Sequence, residues 1–256
     1  ERESYWNLSV RPGGAVTHHA EGTGTLTVLG ALTVGDGSNA GIFNLDTNDP
    51  TVDVDGNVTI AASGTLAASL SAAFTVGGNW DNNGIFTHSS GTVTLDAADT
   101  DNTIETGSSS FSSLTLAGTD GSGTWTYQTD SGTVAATLNV DTSDILTIAS
   151  GISLTLSGNS GTTLTLNGTI NGPGRLTYQN SATTFPTAGT LASVLITRFD
   201  TLNGNMVVPA RTDYGAIEVF GGSAFARTVT LGTAGSQTIT TSSYRYVIAD
   251  AASPNH

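Results

Sequence analysis

The chain predicts an all-β fold: a right-handed parallel β-solenoid, or β-helix, of roughly 12 coils with no helical domain. Three observations carry this. Apolar and polar residues alternate in short runs, and no window has the spacing of an amphipathic helix. Turn-forming residues separate the runs. The runs return at a step of about 20 residues, which marks a stacked repeat.

The runs are TLTV (25–28), ALTV (31–34), VDV (52–54), NVTI (57–60), FTV (74–76), TVTL (92–95), SLTL (113–116), TLNV (137–140), ILTI (145–148), SLTL (153–156), TLTL (163–166) and RLTY (175–178). Each sends two apolar side chains to one face and a polar one, mostly Thr, to the other. Between them lie Gly35-Asp36-Gly37, Asp55-Gly56, Gly77-Gly78-Asn79, Asn83-Gly84, Asn167-Gly168 and Asn171-Gly172. Gly and Asn tolerate the backbone angles of tight turns.

From Phe74 onward the markers of successive coils are Val93, Leu114, Leu138, Leu154 and Leu176. At ~4.8 Å per coil, about 12 coils make a rod about 55–60 Å long. Leu114, Leu116, Leu154, Leu156, Leu164 and Leu166 are expected inside, and Thr115, Thr155 and Thr165 outside. A second register matches SYWNLSV (4–10) to SFSSLTL (110–116), with LASVLI (191–196) and YRYVIA (244–249) fitting more loosely. Residues 1–185 are read as regular coils. Residues 186–256 are read as less regular terminal coils of the same solenoid, since alternation weakens around RFDTLNGNMVVPARTDYGAIEVFGG (198–222).

Composition narrows the function classes. Thr is the commonest residue at 44, Gly numbers 32, and charged residues are 11%, against about 25% in an ordinary domain. There is no Cys and no Lys, which excludes disulfides, thiol chemistry, Lys Schiff bases and Lys–Asn isopeptide links. The net charge of −14 disfavours nucleic acid and anionic membranes as partners. No stretch reaches the roughly 18 apolar residues of a membrane-spanning helix. Together these point to an extracellular or cell-surface location.

The stretch FTVGGNWDNNGIFTHSSGTVTLD (74–96), followed by FSSLTL (111–116), resembles repeats in long bacterial surface proteins of the adhesin and haemagglutinin-like β-solenoid type. Residues 31–56 and 111–180 follow the pattern, and it fades after about residue 185. The resemblance implies a secreted, elongated, non-enzymatic protein. It carries over no site residues, because the family pattern is one of packing.

Few residues point to chemistry. His18 and His19 are neighbours on a predicted strand and face opposite sides, so they cannot share one ion, and His88 stands alone. Asp53, Asp55 and Asn57, preceded by Asp49, faintly resemble a calcium loop but lack its downstream Glu. Calcium is therefore the one cofactor left open; no other is expected. A β-helix glycosidase would need two carboxylates across a cleft, and the acidic residues here fall mainly in turns. Arg198, Asp200, Arg211 and Asp213 form the mixed-charge group. Trp80, Trp125, Phe74, Phe86 and Phe111 are expected to fill the core or corners. A sugar-stacking platform would instead need two aromatics on one exposed face.

Residues 12–174 hold 15 acidic residues and no Arg, whereas all seven Arg lie outside them. A solenoid has two ends of open strand edge, and no capping helix is predicted. The leading expectation is a structural fibre subunit that meets copies of itself head to tail. The expected contact set is Arg2, Trp6, Val10 and Arg11 at one end and Arg227, Tyr244 and Arg245 at the other. The alternative is a segment of a large adhesin binding glycans or a host surface; a carbohydrate-active enzyme comes third.

Overall fold

The structure is a computed structural model. It describes residues 4–11, 16–119, 122–157, 163–180, 184–192, 194–200 and 205–220, and the backbone of 227–231, 237–241 and 245–248. Among the described residues there are 29 short strands and no helix. Nearly all pair in parallel, each with the strand one turn earlier and one turn later, and the result is a β-solenoid of about nine turns. At ~4.8 Å per turn this is a rod about 43 Å long, shorter than the 12 coils expected.

A turn in the first half has three faces. The first turn uses Ser4–Tyr5, Leu8–Val10 and Val16–His19; the second uses Thr25–Val28, Leu32–Val34 and Gly41–Asn44. Each strand pairs in register with its counterpart above. One core column on the second face runs Leu8, Leu32, Val58, Trp80, Ile104, Tyr127, Ile148. Its steps are 24, 26, 22, 24, 23 and 21 residues. Three faces with their corners need this many residues, so a step of about 20 overcounts the coils.

The remaining overcount has a local cause. Phe74, Val93, Leu114 and Leu138 are stacked partners on the first face. The next member of that column is Leu164, not Leu154. Leu154 pairs with Gly132 and Leu176 and belongs to a different column. The long strand Gly132–Val140 serves both. Its first part carries Ser153–Leu156 and its last part carries Thr163–Leu166. A register slip at its edge with Phe111–Leu116 lets it round the corner between two faces. Gly132 is needed there, since a Cβ would meet the Tyr127 hydroxyl and the Thr106 Oγ1.

The sidedness follows the sequence pattern. Leu114, Leu116, Leu154, Leu156, Leu164 and Leu166 are buried; Thr115 and Thr155 are half-buried in the outer ladder and Thr165 is exposed. Trp80, Trp125, Phe74, Phe86 and Phe111 all lie in the core. Phe74, Trp80, Phe86 and Phe111 form one cluster, with Trp80 and Phe86 centroids 4.8 Å apart. Asparagines stitch the corner between the first two faces. Asn7 Oδ1 accepts from Ala31 N at 2.8 Å, Asn57 Oδ1 from Asn79 N at 2.9 Å, and Asn79 Oδ1 from Thr103 N at 2.9 Å.

The second register does not hold. Leu8 lies on the second face, partnered by Leu32, whereas Leu114 lies on the first, partnered by Val93. Similar words serve different faces because every face asks for the same alternation. Toward the C-terminus the pairing itself changes. Ile196–Asp200 and Ala216–Phe220 still pair in parallel, but Arg245–Ile248 runs antiparallel to Ala216–Phe220, and Gln237–Thr241 antiparallel to Arg227–Leu231.

Candidate functional site

The N-terminal turn offers the most distinctive surface. Among the described residues, no strand pairs with the outer edges of Ser4–Tyr5, Leu8–Val10 or Val16–His19. Inward positions of this turn follow from register. Tyr5 heads the column of Val28, Val54 and Val76, and Val10 heads that of Val34 and Ile60. His18 heads the column of Phe43, Leu66 and Phe86. With Leu8, these side chains ring a cavity of about 630 Å³ floored by Leu26, Phe43 and Pro50. Its rim carries Arg11, His19 and Glu21.

Trp6, 75% exposed, and Val16, 51% exposed, stand beside it. Val10 is 8% exposed and Arg11 is exposed, while Arg2 lies outside the described residues. His19 faces out and its Nδ1 lies 3.2 Å from Thr47 Oγ1. The inward placement of His18 escaped the sequence reading. Aligning VTHH with GIFN would have found it.

At the other end, Arg227 opens the strand Arg227–Leu231 and Arg245 opens Arg245–Ile248; Tyr244 lies outside the described residues. Gln237–Thr241 and Arg245–Ile248 are each the last strand of their sheet. Each is paired along one edge among the described residues.

The mixed-charge group, with the separate Arg175–Glu218 pair, forms structural clamps. Arg175 grips Glu218 through Nε at 3.0 Å and Nη2 at 3.2 Å, bridging two turns. Arg198 lies 3.7 Å from Asp200 and packs 3.8 Å from the Phe220 ring centroid. Arg211 donates to both oxygens of Asp213 and to the carbonyls of Pro186, Ala188 and Gly189. Burial works against the Asp213 charge, but Arg211 and the Leu191 N–H outweigh it and hold the carboxyl below its ordinary value. Three of the seven arginines are thus used inside the fold, and none of the three belongs to the expected end-contact set.

The acidic residues are placed by the ladder. Burial raises the Asp81 carboxyl, and its cross-strand partner Glu105 adds to this. Burial, followed by Asp53 and Asp55, raises Asp96. Neither set lines the end cavity. Asp144 is buried and accepts from Gly118 N and Gly123 N, both at 3.0 Å, so its carboxylate ties a loop to the next turn.

The suspected calcium loop is also engaged in packing. Asp49 Oδ1 accepts from Leu70 N, and Asp53 Oδ1 accepts from Thr75 Oγ1 at 2.8 Å. Among the described residues no three His, Asp or Glu side chains group as metal ligands.

Two core tyrosines give a pH prediction. Burial pushes the Tyr127 hydroxyl up to about 12, and burial also raises Tyr214. An unfolded tyrosine ionises near pH 10. The native state therefore holds these protons more tightly, and the stability they contribute is intact below about pH 10 and lost from about 10 to 12. Phenolate absorbance should show Tyr127 and Tyr214 ionising only together with loss of the β signal. Ionisation of all six tyrosines near pH 10 with the fold intact would contradict this.

No family model, curated protein or solved structure matches the chain. The repeat-type β-helix rests on the chain's own geometry.

Proposed function

We propose that the protein is an extracellular, non-enzymatic structural subunit that associates end to end through its solenoid termini into a filament. The carrying observation is the N-terminal turn: among the described residues its three strands are each paired along one edge, and Tyr5, Leu8, Val10, Leu26 and Phe43 line an apolar cavity beside them. Unpaired edges recruit other strands. The natural cover for a solenoid layer is another β layer one strand spacing away.

The occupant is the C-terminal end of a second copy, where Gln237–Thr241 and Arg245–Ile248 also carry a one-sided edge. Like-with-unlike contact of this kind does not close, and it propagates. Those two strands run against their neighbours. Copies related by translation would therefore meet in antiparallel register.

The surface-adhesin resemblance fits the same location. A glycan platform has less support, since Trp80, Trp125, Phe74, Phe86 and Phe111 are buried. Electron microscopy and sedimentation of the concentrated protein test the proposal. Unbranched filaments with an axial repeat of about 43 Å are expected. Deletion of residues 1–10 should leave a folded protein that no longer assembles. A monomer at high concentration overturns the filament and favours an adhesin segment.

A further inference from the structure

We propose that the Asp49–Pro50 peptide bond is a self-cleavage site, broken by the Asp49 carboxylate with water as the only co-reactant. It lies at the corner between the third and first faces and is independent of the filament reading. Five described residues other than glycine have a positive φ: Asp49, Ser89, Asp101, Thr129 and Ser143. Only Asp49, at a φ of 50°, precedes a proline. A proline ring drives the residue before it toward extended angles, so Asp49 is strained on two counts. Of the six prolines, only Pro50 follows an Asp.

Hydrogen bonds hold the strained link on both sides. Asp49 N donates to Leu45 O at 3.0 Å, and Leu70 N, one turn on, donates to Asp49 Oδ1 at 2.6 Å. Beyond the link, the buried Ser69 hydroxyl donates to the Pro50 carbonyl at 2.7 Å. Strain of this kind persists only where its surroundings over-determine it, and it collects at functional positions. Here the strained residue also carries the nucleophile.

The step balances. A carboxylate oxygen of Asp49 bonds to the residue's own carbonyl carbon and closes a five-membered anhydride. The C–N bond to Pro50 breaks, and the nitrogen takes a proton from solvent and leaves as a secondary amine. Water then opens the anhydride, so Asp49 ends the first fragment with two carboxyl groups. Breaking the link releases Asp49 from the restriction the ring imposes, so the strain favours cleavage.

Cleavage does not part the two pieces. Thr25–Val28, Leu32–Val34 and Gly41–Asn44 lie before the break and stay paired with Thr51–Val54, Val58–Ile60 and Gly64–Ala67 after it. The product is a nicked solenoid.

The experiment incubates the intact chain at pH 5.5, above its isoelectric point of about 4.2, both folded and in 8 M urea. Mass spectrometry under denaturing conditions reads the fragments, and circular dichroism confirms the folded state. Fragments ending at Asp49 and beginning at Pro50 should form about tenfold faster from the folded chain, the acceleration that strain of this kind supplies. Without urea the nicked protein should elute as one particle in size-exclusion chromatography. Asp49→Asn keeps an acceptor for Leu70 N and tolerates a positive φ, and Pro50→Ala removes the ring. Both should stay whole over the same period.

Cleavage of the folded chain no faster than in urea, or no cleavage in either, overturns the proposal. Breakage of folded Asp49→Asn at the same bond also overturns it, because the carboxylate is then not the nucleophile. Elution of the nicked protein as two particles overturns the retained product.

Discussion

Leu114→Asp is expected to unfold the middle of the solenoid, while Thr115→Asp leaves it standing. Leu114 is fully buried between Val93 and Leu138, with Phe74 and Leu164 further along the same column. A carboxylate there has no cation within the layer and costs several kcal/mol, about half or more of a typical domain's stability. Thr115 sits one residue away on the outer ladder between Thr94 and Asn139, half in solvent. An Asp there keeps its water and should cost under about 1 kcal/mol.

Leu164→Asp should be milder than Leu114→Asp, because Leu164 is the last member of its column among the described residues and 7% exposed; Thr165→Asp should again cost little. Urea denaturation followed by circular dichroism reads all four. Equal effects from the Leu114 and Thr115 substitutions would falsify the register.

That contrast was legible in the sequence because alternation encodes sidedness directly. All 12 runs quoted from the sequence coincide with strands of the structure, with only Ala31 and Asn57 lying just outside theirs. Alternation does not encode which face a strand occupies. Leu138 and Leu154 look like successive markers, yet the chain turns a corner between them, and the bulged strand Gly132–Val140 carries both columns. The third face was hardest to read. Gly41–Asn44, Gly64–Ala67 and Ile85–Thr87 read GIFN, GTLA and IFT, and none repeats the apolar–Thr–apolar word of the other faces.

Alternation also has no direction. Arg245–Ile248 reads as a strand equally well forward or reversed, so its antiparallel pairing could not be foreseen. At the candidate site, Trp6 and Val10 were visible as strand residues near an end. The inward side of His18 depends on register with Phe43, which lies 25 residues away and is fixed only by the fold. Pairing of Arg175 with Glu218 spans 43 residues and was hidden for the same reason.

Trp80→Ala is the second large effect expected. The indole is 1% exposed and meets three rings: Phe86 edge-on at 4.8 Å, Phe111 at 5.3 Å and Phe74 at 5.9 Å. It stacks between Val58 below and Ile104 above, so its removal opens a cavity bounded on both sides by fixed layers. Loss of an aromatic of this size costs about 3–5 kcal/mol. Trp80→Phe should cost far less, below about 1.5 kcal/mol, because it keeps a ring in the cluster. It also removes an indole N–H that is buried without an acceptor, and that removal offsets part of the lost volume.

In a stacked repeat the stability is a sum over turns and their interfaces. The damage from Trp80→Ala should therefore be local. Hydrogen exchange should accelerate most in Phe74–Val76, Trp80–Asn82 and Ile85–Thr87, and in the strands they pair with, Thr92–Leu95 and Asn102–Glu105. Ile145–Ile148 and Arg175–Tyr178, several turns away, should keep their protection. Uniform acceleration along the chain would mean that the solenoid unfolds as one cooperative block, and the additive picture of its turns would have to be abandoned.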